Sequence, residues 1–324
     1  MNFNFMNLKR LGNQVSVSIP KDSAGFLGRE CPQGDCEGYF KIKPGTGLTG
    51  KNLPCHCPYC GHSASPDHFW TKEQLEYARS VALRQITDAI HRDLKSLEFE
   101  VKPKGGFGIG VKLEVKKGRP VPIRYYREQQ LETHVTCDTC TLEYAVYGVF
   151  GFCPDCGKHN SLQILQKNLA LARKELELAS TQADPDLQRH LVEDALENCV
   201  SAFDGFARET CRIRAASSAD PAKCQGLSFQ NLPRSARRLK ELFGIELQHT
   251  VSPPDWSTIH TAFMKRHLIA HRAGVVDQQY LDETGESSTL LGRRIRVTRE
   301  EVEHLAEIVE VLGRSLLSLL PPII

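Results

Sequence analysis

The chain is 324 residues long, 40% hydrophobic and 25% charged, with a formal net charge of +2. Those proportions belong to a soluble globular protein of about two domains and exclude a dedicated polycationic nucleic-acid binder. The charge is unevenly spread, with 21 Lys and Arg against 17 Asp and Glu in residues 1–158, and 20 against 22 in the remainder. The N-terminal M-N-F-N-F-M-N-L-K-R lacks the long apolar core of a signal peptide, and the apolar tail L-L-S-L-L-P-P-I-I is too short to span a bilayer. A cytoplasmic protein with no membrane partner is therefore expected.

Nine of the twelve cysteines lie before residue 157, mostly in close pairs. In a reducing compartment such pairs mean metal ligation rather than disulfides. Residues 1–66 are expected to form a first zinc ribbon, with Cys31, Cys36, Cys57 and Cys60 as a tetrahedral ligand set. Each pair can make a tight turn whose backbone amides face the thiolates, and Gly61 permits the positive φ such a turn ends on. Cys55, His56 and His62 are alternative ligands at this stage. Residues 38–42 read as a strand between the pairs, and 44–50 as a loop.

Residues 67–131 should be a helix followed by a basic β-hairpin. Thr71 and Gln74 are spaced as a capping box. Leu75, Ala78, Ala82, Ile86, Ile90, Leu94 and Leu97 mark the expected buried stripe, with charged residues opposite. Residues 101–127 then switch to alternation, with Val111, Leu113 and Val115 separated by Lys112, Glu114 and Lys116, and a turn at Lys117-Gly118 leading into a second strand. Lys104, Lys112, Lys116, Lys117, Arg119, Arg124 and Arg127, interleaved with Phe107, Tyr125 and Tyr126, are the candidate nucleic-acid contacts. The alternative is a solvated hairpin whose aromatics belong to the core.

Residues 132–158 carry the second set, Cys137, Cys140, Cys153 and Cys156, in compact ribbon spacing with a hairpin expected over 142–152. A piece this small cannot bury enough surface to fold alone, so metal must supply the stability. Four thiolates leave no open coordination position, so both zinc ions are expected to be structural, with no metal needed for catalysis.

Residues 159–324 read as helices throughout. Residues 162–180 form the first. Asp184 caps the next, with Pro185 at its first position and Leu187, Leu191, Ala195, Cys199, Ala202, Phe206 and Ile213 as its apolar stripe. Residues 217–226 read as a loop and 235–243 as a short basic helix, whose Arg234, Arg237, Arg238 and Lys240 form either a solvated face or an RNA-backbone contact. Trp256, Ile259 and Phe263 recur at helical spacing ahead of Gly274, which can stop a helix in the left-handed conformation. Residues 293–297 read as a short basic strand or turn. Thr298 and Glu301 then make a capping box for a last helix, with Val302, Leu305, Ile308, Val309, Leu312 and Leu316 buried. The fold class is thus multidomain α+β, with zinc ribbons, a helix and a basic hairpin ahead of an all-α bundle of about five helices.

Within F-M-K-R-H-L-I-A-H-R-A-G, Arg266 and His271 fall in the last turns of their helix, where the helix dipole favours cations. Their five-residue spacing leaves them roughly 140° apart around an ideal helix, so a partner helix or a two-fold dimer is expected to complete any joint site. His267 and His271, at i and i+4, share a face. At these residues the sequence resembles the HEPN family, all-helical domains that often carry an R-x4-6-H motif. The resemblance covers about half the chain, from Ser161 onward. Many active members have a polar residue, commonly Asn, directly after the Arg, where this chain has His267.

The resemblance implies a metal-independent endoribonuclease, with Arg266, His267 and His271 as the catalytic set, RNA as substrate and a homodimer as the working form. The ribbons and hairpin would then recognise RNA or a regulatory partner. The competing expectation is a non-catalytic nucleic-acid-binding or protein-interaction protein, in which Arg266 and His271 only hydrogen-bond within a helical interface. A metallohydrolase built on His267 and His271 lacks a carboxylate ligand on the same helix face.

Overall fold

A computed structural model describes residues 5–48, 53–102, 109–131 and 133–323. Two compact units divide the chain at the 158/159 peptide, Met1–Lys158 and His159–Ile324.

In the first unit a short helix, α1 (Met6–Leu11), precedes the strands β1 (Leu27–Glu30), β2 (Tyr39–Ile42), β3 (Cys55–His56) and β4 (Ser63–Ala64). After a 3₁₀ turn at Pro66–Phe69 come α2 (Lys72–Lys95), β5 (Phe99–Val101), β6 (Val111–Leu113), β7 (Thr133–Thr136) and β8 (Glu143–Val146). Four strands form one antiparallel sheet in the order β1-β2-β8-β7, with Lys41 opposite Ala145 and Ile42 opposite Tyr144. That pairing joins the two cysteine-rich segments. Phe152 N–H also donates to the Pro58 carbonyl and His56 N–H to the Pro154 carbonyl, each at 2.8 Å. The two ribbons and the piece between them, expected as three separate domains, therefore belong to one unit. Fully buried Phe40, Phe69 and Tyr144 pack among the cysteines, because neither segment alone encloses a core.

The Thr71–Gln74 capping box forms in both directions. The expected α2 stripe does not: Leu75 and Leu94 are exposed, Ala78, Ala82, Ile86, Ile90 and Leu97 are only half-buried, and the buried positions are Gln74, Ser80, Ala89 and Asp93. Polar anchors replace apolar ones. Gln74 donates to the Gly28 carbonyl, Ser80 Oγ accepts from Arg124 N–H, and the Asp93 carboxylate takes the Asn7 and Leu8 amides at 2.8 and 2.9 Å. Asp93 thereby satisfies the free N–H groups at the start of α1. The basic hairpin is β5 against β6, with Val101 opposite Val111 and Phe99 opposite Leu113. The second strand expected after Lys117 is absent among the described residues, and the hairpin expected over 142–152 is replaced by the pairing of β8 with β7 and β2.

The second unit consists of α3 (Ser161–Ser180), α4 (Pro185–Arg212), α5 (Pro221–Gln225), α6 (Leu232–Phe243), α7 (Pro253–Arg272), α8 (Gln278–Thr284) and α9 (Arg299–Leu319). Five of these are long, as expected for a bundle. Leu165, Leu169, Ala172, Leu176 and Ala179 line the buried face of α3 at helical spacing. On α4 the buried face centres on Val192, Leu196, Val200 and Phe203, and Leu187 is exposed. All six residues expected to bury on α9 do so, and its Thr298–Glu301 box is complete. Gly313 marks the closest approach: a Cβ there would lie 2.6 Å from Leu165 Cδ2 and 3.3 Å from Phe206 Cε1. Residues 217–226, expected as loop, contain α5, capped by Asp220 with Pro221 at its first position. Residues 293–297 make no strand, only a bridge from Arg294 to Val275.

Glu209 fastens the start of this unit. It accepts from Arg212 at 2.7 and 2.8 Å and faces His159 Nε2 at 3.3 Å. Burial opposes its charge, but the bonds from Arg212 and His159 prevail and hold the carboxyl down at about 2. A carboxylate depressed on folding stabilises the fold above its unfolded pKa, and that contribution is lost as pH falls through the folded value. The helical unit should therefore lose stability between the ordinary value of 4.5 and about 2. Glu209→Gln should remove that portion of the slope in denaturant titrations read by far-UV circular dichroism, and weaken the fold at neutral pH. Parallel pH slopes for the two proteins would contradict the assignment.

Candidate functional site

Two sites emerge, one in each unit. In the first, the Sγ atoms of Cys31, Cys36, Cys57 and Cys60 all lie within 4.8 Å of one another, as do those of Cys137, Cys140, Cys153 and Cys156. The closest pairs, Cys31–Cys60, Cys36–Cys57 and Cys137–Cys156 at 3.7 Å and Cys140–Cys153 at 3.4 Å, are too long for disulfides. They approach the edge of roughly 3.8 Å that a tetrahedron with ~2.3 Å metal–sulfur bonds would have. The donor chemistry fits a tetrahedral metal ion at each set. The alternative ligands stand aside. Cys55 is buried in β3, where burial pushes its thiol up to about 12; His56 packs on Gly157; and His62 Nδ1 lies 2.9 Å from Gln33 Nε2.

The knuckles follow one plan. Cys57, Cys137 and Cys153 each donate their N–H to the carbonyl five residues on and accept from the N–H four residues on. The residue at the fourth position is left-handed in all three, Gly61 at φ +73°, Thr141 at +64° and Gly157 at +68°. Amides within each turn donate to the thiolates, for example Tyr59 N–H to Cys57 Sγ at 3.4 Å. Such bonds, from His62 to Cys60 and from Cys140 and Thr139 to Cys137, overcome burial and hold those two thiols below the ordinary value. Thr141 alone among the three carries a β-branched side chain in this region, at a cost of about 1 kcal/mol. Thr141→Gly should therefore raise the thermal midpoint of the metal-loaded protein. An unchanged or lower midpoint would show that the left-handed turn is not strained.

The second site lies in the helical unit. Asp204 of α4 accepts from Phe229 N–H at 2.5 Å, and Ser235 Oγ donates to the Ser228 and Asn231 carbonyls. These bonds fix the segment leading into α6. Fully buried Phe203 makes edge contacts with both Phe229 and Phe263, so one ring sets the position of that segment and of α7. Lys265, 8% exposed, reaches the Arg296 carbonyl at 3.0 Å and Glu301 at 2.8 Å, which fixes α7 against the start of α9. The helix ends with Ala273 at φ +52° and Gly274 at +77°, so the left-handed turn begins one residue earlier than expected.

Between α7 and the residue 226–238 segment opens a pocket of about 440 Å³. Arg266, His267 and His271 all line it. The roughly 140° between Arg266 and His271 does not keep them apart, because His267 lies within that arc and the whole arc forms one wall. The His267 and His271 rings are 4.8 Å apart, centroid to centroid. Arg266 Nη1 is 3.5 Å from Gln230 Oε1, at the edge of hydrogen-bonding distance, and its Nε is buried without a partner. Sequence reasoning missed His260, which also lines the pocket, with Nε2 3.6 Å from Glu283. Its spacing of seven from His267 puts both on one helix face and could have revealed it. Arg234 and Arg238 of α6 form the facing wall. No carboxylate is among the described lining residues, so the pocket is a cationic concavity.

A comparison with protein-family models, curated proteins and solved structures finds no match to this chain. The site stands on its own geometry.

The basic residues of the first unit divide. Lys104 and Phe107 lie outside the described residues. Lys112 is 3.4 Å from Glu114, and Arg124 is 2.9 Å from Glu76. Lys116, Lys117, Arg119 and Arg127 are exposed, and Tyr125 is 78% exposed beside Tyr77. Tyr126 is half-buried against Tyr77. Among the described residues no helix is long and apolar enough to cross a membrane.

Proposed function

We propose that the helical unit is a metal-independent endoribonuclease of HEPN type and that the first unit carries two structural zinc ions. The observation that carries the first part is the convergence of Arg266, His267 and His271 on one pocket lined by cations and free of carboxylates. A phosphodiester is the ligand such a lining attracts. RNA brings its own nucleophile. The 2′-oxygen attacks the adjacent phosphorus while one imidazole, assigned to His271, takes its proton. The bond to the 5′-oxygen breaks as a second imidazole, assigned to His267, gives that oxygen a proton. Arg266 stabilises the charge on the pentavalent phosphorus. The products are a 2′,3′-cyclic phosphate and a 5′-hydroxyl.

In this reading a homodimer partner adds to a pocket already lined by three guanidinium groups and three imidazoles. Sedimentation velocity beside an activity assay measures how much the second copy matters. The zinc assignment rests on eight thiolates in two closed tetrahedral sets, which suit an ion with no geometric demand of its own. Labelled RNA treated briefly in excess EDTA should be cut by the intact protein. Complete loss of cutting under EDTA, with the fold retained, would overturn the metal-independent mechanism.

A second reading, nucleic-acid binding without cleavage, is favoured by the exposure of Lys116, Lys117, Arg119 and Arg127 and of the Tyr125 ring. Both readings share RNA as partner; catalysis separates them.

A further inference from the structure

The pocket carries more positive charge than one phosphodiester needs. Arg266 on α7 suffices for a single scissile phosphate, yet Arg234 and Arg238 stand on the opposite wall. Both are on α6 at i and i+4, so they share a face and lie about 6 Å apart along the axis. Among the described residues neither side chain has an ion pair or hydrogen bond. Elsewhere in the unit Arg189, Arg208, Arg212, Arg294, Arg299 and Arg314 face carboxylates within 4.0 Å, while Arg237, Arg293 and Arg296, which also lack an ion pair among the described residues, do not line the pocket. The helix that carries them is anchored, because Leu232, Ala236, Leu239 and Leu242 are buried on its other side. An anchored helix that presents two uncompensated guanidinium groups to a carboxylate-free pocket is a site for further anions.

Resting on the ribonuclease reading, we infer that Arg234 and Arg238 form a second phosphate subsite, which holds the phosphodiester next to the one that is cut. The substrate is then an RNA strand with at least two successive phosphodiesters. Dinucleotides fill only the α7 side.

The test uses the full-length protein and 2′-O-methyl oligonucleotides, which cannot be cleaved by 2′-oxygen attack. Affinities are measured by fluorescence anisotropy for a dinucleotide with one phosphodiester and a trinucleotide with two. The trinucleotide should bind about tenfold more tightly, the effect of one charge-assisted contact. Its log–log salt slope should be steeper by about 0.7. The double variant Arg234→Gln/Arg238→Gln should lose that increment and the extra slope, with dinucleotide affinity falling less than twofold. Arg266→Gln should weaken both ligands. Arg234→Lys/Arg238→Lys, which keeps the charge, should retain most of the salt slope and guards against a folding artefact. Equal affinities of the intact protein for the two lengths would overturn the subsite, and so would equal losses for both lengths in the double variant. Length-dependent binding without cleavage of unmodified RNA would uphold the subsite and overturn the ribonuclease reading.

Discussion

Cys153→Ser is expected to unfold the first unit while the helical unit keeps its far-UV signal. Cys153 is fully buried and lies 3.4 Å from Cys140, so the serine would leave a three-thiolate set around a weaker oxygen donor. Structural zinc binding contributes roughly 10–16 kcal/mol apparent to small metal-dependent folds, comparable to or larger than the ~5–15 kcal/mol net stability of a whole domain. The damage should not stop at the second cysteine set. β8 pairs with β2, and Phe152 donates to Pro58 in the first set's knuckle. Elemental analysis should find two zinc equivalents in the intact protein and fewer than two in the variant. Two equivalents and an unchanged melting profile in Cys153→Ser would show that Cys153 is not a metal ligand.

Arg266→Ala and His271→Ala should each lower the rate of RNA cleavage by about 10²–10⁴-fold, the usual effect of losing one positioned proton-transfer or charge-stabilising group. Neither change should unfold the unit, since Arg266 is only half-buried and His271 is exposed, whereas their neighbours Lys265 and Leu268 form the packed face of α7. His267→Asn keeps a hydrogen-bonding side chain but removes a proton carrier. It should cost about 10²-fold and leave one limb of a bell-shaped pH–rate profile. Full activity in His267→Asn would move the second proton transfer to another group, with His260 the nearest candidate on the same helix face. Undiminished cleavage by both alanine variants would place the chemistry elsewhere.

What the sequence made legible was local. Cysteine spacing picked out all eight thiols of the two four-Cys groups, with Cys55, His56 and His62 left open as alternatives in the first, because a knuckle is closed by hydrogen bonds within six residues. Capping boxes at Thr71 and Thr298 and the Asp184-Pro185 start were equally local. The same Asp-Pro pattern at Asp220-Pro221 went unread inside a stretch rich in Ser and Ala, and it starts α5. Long-range pairing was not legible. Asp93 serves amides 85 and 86 residues away, so α2 is anchored by polar groups that a search for apolar stripes passes over. In the candidate site, Arg266, His267 and His271 follow from one short stretch. The opposing wall depends on Phe203 holding Phe229 and Phe263 together, a contact no spacing rule contains.

The most direct test of the cationic pocket as an RNA-cleaving site is a DNA oligonucleotide that carries a single ribonucleotide, end-labelled and incubated with the full-length protein. One cut is expected, on the 3′ side of that ribonucleotide, leaving a 2′,3′-cyclic phosphate and a 5′-hydroxyl, and no cut when the 2′-oxygen is methylated. Cleavage of the methylated strand, or at deoxynucleotide positions, would show that the 2′-oxygen is not the nucleophile and contradict the mechanism assigned to Arg266, His267 and His271.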